Sequence, residues 1–155
     1  MKIIRLNIWD LPLWFVQDRE ERMKRIRTFL DAVNADIICF QESFDPFHRA
    51  EFNHFFHSRS YFTTSASVHQ RSVFSIPMDT TGGLALFSKF PILTSAFIPF
   101  SRSMFSPVEF FSGKGMLVGV VQTPHGALRI ANVHLYKKSL FADEAIRLNQ
   151  MNKIF

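Results

Sequence analysis

Cysteine is almost missing from this chain: Cys39 is the one thiol in 155 residues, so no disulfide can form within it and a reducing compartment suits it. Cys39 sits in the apolar run Ile37-Ile38-Cys39-Phe40, where a thiol behaves as a small hydrophobe. No apolar run approaches the ~18 residues that a bilayer-spanning helix needs. Arg5, Asn7 and Asp10 interrupt the N-terminal stretch before it could form the apolar core of a signal peptide. These absences lead to the expectation of a protein that is cytoplasmic or peripheral to a membrane. Blocks of like charge, low-complexity tracts and internal repeats are also missing, which excludes a disordered tail and a solenoid.

What is present is apolar and aromatic. Hydrophobic residues make up 47% and charged residues 20%, and the length suffices for one domain, 1–155, with a sizeable core. Nineteen phenylalanines must fill that core or line a surface that meets something apolar. Eighteen Lys and Arg against thirteen Asp and Glu leave a net charge of +5, which favours phosphates, nucleic acid or acidic headgroups as partners.

The run from Gly82 to Ile92 organises the pattern. Paired glycines lead into a four-residue apolar strand, Leu84 to Phe87; Ser88 and Lys89 form a turn, and Pro91 precedes a second arm, Ile92 to Phe100. It reads as a hairpin in the middle of a sheet. Upstream, Lys2 to Trp9 reads as a strand, followed by a helix that Asp18 could cap, with Met23, Ile26, Phe29, Leu30 and Val33 on its buried face. A second buried strand runs through Asp36 to Phe40 and ends in Gln41-Glu42. Strand, helix and strand make a βαβ unit, which places Asn7 and Glu42 at the carboxyl ends of neighbouring parallel strands, where open α/β sheets bind ligands.

Asp45-Pro46 starts a second helix whose Phe47, Phe52, Phe55 and Phe56 are the expected buried side. Its His48, His54 and His57 lack the spacing of a zinc helix and read as surface or packing residues. Tyr61 to Val68 reads as a strand and His69 to Thr81 as a polar loop. Residues 101–114 form a loop with several Phe, Arg102 and Lys114. Strands at 115–122 and 127–135 flank the turn Thr123-Pro124-His125-Gly126, and a helix covers 141–155. The whole is an α/β layered domain: a mixed β-sheet sandwich flanked by helices.

Three polar residues stand at strand ends: Asn7, Glu42 and, in Asn132-Val133-His134-Leu135, His134. An amide oxygen with one carboxylate is a natural partial shell for Mg²⁺, which prefers oxygen and keeps several waters. A nearby histidine could hydrogen-bond a phosphoryl oxygen. On spacing alone, strand-end caps and an internally bonded histidine are the competing account.

The segments LNIWDLP, ICFQES, GGLALFSKFPI, FFSGKG and NVHLY followed by RLNQM resemble, in order and spacing, the endonuclease/exonuclease/phosphatase superfamily. They are most similar to its neutral sphingomyelinase-like phosphodiesterases. That resemblance implies that Asn7 and Glu42 bind the metal, Mg²⁺ with Mn²⁺ as the alternative, and that His134 contacts phosphate in catalysis. Gln41, Asn132 and Lys114 would be supporting or phosphate-contacting. It also implies hydrolysis of a phosphodiester, with an ionised Asp activating water. Two family motifs, an Asp-x-Asn after the last helix and an Asp-His pair further on, have no counterpart among these residues.

The resemblance therefore implies a catalytically incomplete N-terminal half of a four-layer α/β/β/α fold, with one apolar sheet face awaiting a C-terminal half or an oligomer. The substrate would be a lipid headgroup phosphodiester, and the Phe-rich stretch 97–111 would provide peripheral membrane contact. Nuclease-type cleavage by the same fold, using the Arg-rich first helix, is the alternative; a non-catalytic product that acts by pairing with another chain is another.

Overall fold

The computed structural model describes residues 1–66, 70–73, 76–100, 112–136, 143–152 and 154. Strand β1 (Ile3–Asp10), helix α1 (Arg19–Val33) and strand β2 (Ile37–Ser43) form the expected βαβ unit, with β1 and β2 parallel. Helix α2 (Pro46–His57), β3 (Phe62–Ser65), the antiparallel pair β4 (Gln70–Val73) and β5 (Ile76–Asp79), and β6 (Ala85–Ser88) follow. Strands β7 (Ile92–Pro99), β8 (Gly115–Thr123) and β9 (Gly126–His134) precede a last helix, α3 (Asp143–Met151).

Besides the two-stranded β4-β5 sheet, the described residues form two larger sheets, one ordered β1-β2-β6-β3 and the other an antiparallel β7-β8-β9 meander. Alternation along β2 explains how they stack. Ile38 and Phe40 point to the helices, joining Met23 and Leu30 of α1 and Phe52 and Phe56 of α2 in one core. Ile37 and Cys39 point the other way, where Leu84 and Leu86 meet Leu117 and Val121 of β8. Four aromatic rings (Phe40, Phe52, Phe56 and Phe87) pack within 4.1–6.3 Å of one another, which accounts for part of the phenylalanine excess. The described layers are thus helices, sheet and sheet, an α/β sandwich of mixed sheet.

Several expectations need correction. Leu84–Phe87 and Ile92–Phe100 are not two arms of one hairpin: β6 pairs with β2 and β3, whereas β7 pairs with β8 in the other sheet. The Lys89-Phe90-Pro91 corner is a crossing between layers. The two inner sheet faces also cover each other, so neither is the bare face expected. The outer face of β7–β8–β9 is the open one, with Ala96, Ile98 and Ala131 exposed and Val118 and Val120 half-buried.

Residues 70–73 and 76–79 pair as two antiparallel strands where a polar loop was expected. Asp18 makes no side-chain cap; its backbone is left-handed (φ 53°), whereas a capping residue ordinarily has an extended backbone. Phe29 and Phe47, both placed on buried faces by periodicity, are 48% and 71% exposed. Of the stretch 97–111, residues 101–111 lie outside the described residues.

Candidate active site

The register of the βαβ unit puts Asn7 opposite Gln41, one residue before Glu42. Past Asn7, β1 carries one more residue than β2 before pairing resumes at Asp10 and Ser43. Trp9 takes up that extra length with φ 47°, and Glu42 itself has φ 58°. Left-handed backbone is costly for residues with a side chain, so two such positions side by side mark a place where neighbours dictate conformation.

One of those neighbours is Gly83. A Cβ there would lie 2.6 Å from the Ser43 nitrogen and 2.9 Å from Glu42 Cα, and its carbonyl accepts from the Ser43 N–H at 3.0 Å. Only glycine lets the Gly82-Gly83 turn, with positive φ at both, press against the end of β2. Gly113 is equally confined, with a Cβ position 1.6 Å from the Thr80 carbonyl oxygen.

Three strands meet at one oxygen. Asn7 Nδ2 donates to Glu42 Oε1 at 2.8 Å, and His134 Nε2 lies 3.2 Å from the same atom. His134 is buried, and its Nδ1 faces the Gly82 carbonyl at 3.0 Å; a carbonyl only accepts, so Nδ1 carries a proton. Burial pushes the half-buried Glu42 carboxyl up, but hydrogen bonds with His134 and Asn7 and the charge of Lys114 outweigh it and hold the pKa below the usual carboxylate range.

The supporting residues hold β9 in place. Gln41 Nε2 donates to Asn132 Oδ1 at 3.0 Å and to the Val133 carbonyl at 3.2 Å. Asn132, 2% exposed, donates through Nδ2 to the Phe40 and Ala85 carbonyls at 2.7 and 3.2 Å. The side chain two residues before His134 thus ties β9 to both β2 and β6. Lys114 Nζ donates to the Leu135 carbonyl at 3.1 Å and stands close enough to Glu42 to stabilise its charge.

A second polar cluster escaped the reading of the sequence. Asp10, Asp45 and His48 are buried, with ligand atoms within 4.8 Å of one another. Arg19 hydrogen-bonds both Asp10 and Asp45, and His48 bridges Asp10 Oδ1 and Glu20 Oε1 at 2.9 Å each. A guanidinium already supplies the cation that two buried carboxylates require. The hydrogen bond to Asp10 is the largest influence on His48 and outweighs burial, raising its pKa to about 9. The three donors lie close enough to gather round a cation, but the Arg19 guanidinium and a proton on His48 already supply positive charge, so the described cluster is held together as an ion network. Asp45 also caps α2 through the Phe47 N–H at 2.8 Å. Asp79, expected in a loop, ends β5, where Arg49 of α2 pairs with it.

Glu42 and Asn7 suit a hard cation better. Both offer oxygen, and turning the Asn7 amide over would set Oδ1 beside Glu42 Oε1, at the cost of its present 3.0 Å bond from the Trp9 N–H. Glu42 remains partly open to water, as a Mg²⁺ that keeps its own waters requires.

The helix-backed β-sandwich thus gathers an Asn, a Glu and a His at the ends of three strands. The chain matches the Endonuclease/Exonuclease/phosphatase family over residues 13–146, and it belongs to that family. It is similar to the inositol phosphosphingolipids phospholipase C of Schizosaccharomyces pombe, 28% identical over 142 residues, which are 88% of this chain and 31% of that protein.

Two solved structures share the fold. They are sphingomyelinase C from Streptomyces griseocarneus (TM-score 0.78, 19% identity) and a beta toxin variant from Staphylococcus aureus with bound magnesium ions (TM-score 0.76, 20% identity). Each match covers 99% of this chain and 56% or 57% of the other. The chain thus spans about a third of its curated relative and somewhat over half of these structures.

Proposed function

We propose that these residues supply the metal-binding and phosphate-orienting part of a sphingomyelinase-type phosphodiesterase, with Asn7 and Glu42 as metal ligands and His134 as the catalytic phosphate contact. The observation that carries this reading is the convergence of Asn7 and His134 on Glu42 Oε1. Glu42 stays ionised and offers its carboxylate to Mg²⁺, with Mn²⁺ as the alternative. When bound, such an ion polarises a phosphodiester oxygen as a Lewis acid. His134, held through Nδ1 by Gly82, presents Nε2 to the phosphoryl oxygens. Gln41 and Asn132 position β9, and Lys114 adds positive charge beside the phosphate.

Activation of the attacking water requires a free carboxylate at the site, and the resemblance implies that the family's Asp for that role has no counterpart here. Of the described aspartates, Asp10 and Asp45 pair with Arg19, Asp79 with Arg49, Asp31 with Arg59 and Asp36 with Lys89, and Asp18 stands exposed just before α1. The 155 residues alone are therefore expected to bind without efficient turnover. A C-terminal half or an oligomer covering the outer face of β7–β8–β9 would complete the site. The sphingolipid relative favours a lipid headgroup as substrate; the basic stretch of α1 supports a nuclease-type reading as the alternative.

The test is calorimetric binding of phosphocholine, inositol phosphate and a short deoxynucleotide with Mg²⁺, on the wild type and on His134→Ala. Headgroup phosphates should bind only with the metal and about tenfold more weakly to the variant. Preferential deoxynucleotide binding would favour the nuclease reading. Metal-dependent turnover by the wild type that vanishes in Glu42→Ala would overturn the incomplete-site reading.

A further inference from the structure

Four exposed aromatics lie at the end of β1, on the loop from β1 to α1 and at the start of α2. Trp14 is 91% exposed, Phe47 71%, Trp9 49% and Phe15 48%. Trp9 is one hydrogen bond from the candidate metal ligand, through its N–H to Asn7 Oδ1. Trp14 and Phe15 stand edge to face at 5.7 Å on the loop from β1 to α1. Beneath them Leu11, Leu13 and Val16 pack on Phe44, just before α2.

Both protrusions rise from one hydrogen-bonded base. The Asp45 N–H donates to the Asp10 carbonyl, Arg19 joins Asp10 to Asp45, and Asp45 holds the Phe47 N–H. A loop that needed only to close a connection would bury such rings, because exposing them forfeits apolar burial.

We propose that this β1–α1 loop, together with Phe47 at the start of α2, is a docking surface for the interface of a zwitterionic phospholipid bilayer. Charge decides between lipid and nucleic acid. Leu11 to Gln17 is seven residues without a charge, whereas a surface tracking a polyphosphate interleaves cations with its aromatics. From Asp10 to Arg25 the chain carries four acidic and four basic residues, and Asp45 and protonated His48 cancel each other.

The rim charges also pair internally, Arg25 with Glu21 and His48 with Glu20, so little excess positive potential remains to attract a polyanion. Trp, the commonest anchor at a membrane–water boundary, supplies the most exposed ring, and the Arg22 guanidinium lies 5.4 Å from the Trp9 ring centre, where it can meet a headgroup phosphate. The surface would bring the Asn7, Glu42 and His134 site to the headgroups. It deepens the lipid reading of that site, yet it is read by binding without turnover, so either can fail alone.

Sedimentation with phosphatidylcholine vesicles tests the surface, using the 155-residue chain, the double variant Trp14→Ala with Phe47→Ala, and Phe29→Ala further along α1 as control. Trp9→Phe leaves Trp14 as sole reporter for quenching by lipids brominated in their acyl chains. The expected result is quenching of Trp14, binding that changes less than about twofold as salt rises tenfold, at least a tenfold loss in the double variant, and none in the control. Circular dichroism confirms that the variants fold.

Equal vesicle binding by the double variant would overturn the proposal, as would no vesicle binding by a folded wild type. Quenching of Trp14 by single-stranded DNA in place of vesicles would make this a nucleic-acid surface. A wild-type dimer that the double variant abolishes, without vesicle binding, would make it a seat for a second copy.

Discussion

Asn7 Nδ2 donates to Glu42 Oε1 at 2.8 Å across two parallel strands, linking the amide and the carboxylate proposed to share a metal. This contact helps to keep Glu42 ionised although it is half-buried. Because the folded-state pKa lies below the ordinary 4.5, the carboxylate's contribution to stability is present above that pH and is lost as pH falls through the folded value. Asn7→Leu should raise the Glu42 pKa towards the ordinary range. The carboxyl carbon shift followed by NMR against pH reads this directly, and an unchanged titration would mean that His134 alone sets it.

Asn132 makes its hydrogen bonds wholly inside the protein, to Gln41 and to the Phe40 and Ala85 carbonyls. Asn132→Leu leaves Gln41 Nε2 with the Val133 carbonyl alone, removes the amide donor to the Phe40 and Ala85 carbonyls, and should cost about 2–4 kcal/mol in urea unfolding. The same variant should weaken phosphate binding, since His134 lies two residues along. Full stability would show that water replaces the amide.

Much of this arrangement could be read from the sequence. Apolar runs bounded by polar strand ends gave away β1, β2 and β9, and the βαβ rule brought Asn7 and Glu42 together because a parallel crossover leaves little choice. The convergence of His134 on the same oxygen was not derivable from spacing, and the family resemblance implied only that His134 contacts phosphate. Phe47 and Phe29 were misplaced because helical periodicity allows more than one face, and packing selects the rotation. The Asp10, Arg19, Asp45 and His48 network was invisible, since four residues from three segments leave little local pattern. Only Asp45 and His48, three apart at a Pro-started helix, offered a hint. The crossing at Pro91 was read as a turn because nothing local distinguishes a strand that changes sheets from one that folds back.

His48 should make stability fall in mild alkali. Its folded-state pKa of about 9 lies above the ordinary 6.5, so the folded protein keeps a proton that the unfolded chain releases. The contribution is complete below pH 6.5 and disappears as pH rises through about 9. Since the Glu20 partner is solvent-exposed, a figure on the order of 2 kcal/mol is appropriate. Urea unfolding at pH 6 and pH 9.5 measures it, and His48→Gln should flatten the difference. A wild type equally stable at both would contradict the network.

Gly83→Ala should be among the most damaging small substitutions. It forces a Cβ to 2.6 Å from the Ser43 nitrogen at a φ of +59°. A loss above about 2 kcal/mol and a displaced Glu42 are expected, read by thermal unfolding and by weakened metal binding. Unchanged unfolding would show that the Gly82-Gly83 turn has room to move.

The central claim is that Glu42 anchors a divalent-cation site in this chain. Calorimetric titration of Mg²⁺ into the folded wild type, Glu42→Ala and His48→Ala tests it most directly. The account predicts one site in the wild type, lost in Glu42→Ala and retained in His48→Ala. A folded wild type that binds no Mg²⁺, or binding that survives Glu42→Ala and disappears with His48→Ala, would contradict it.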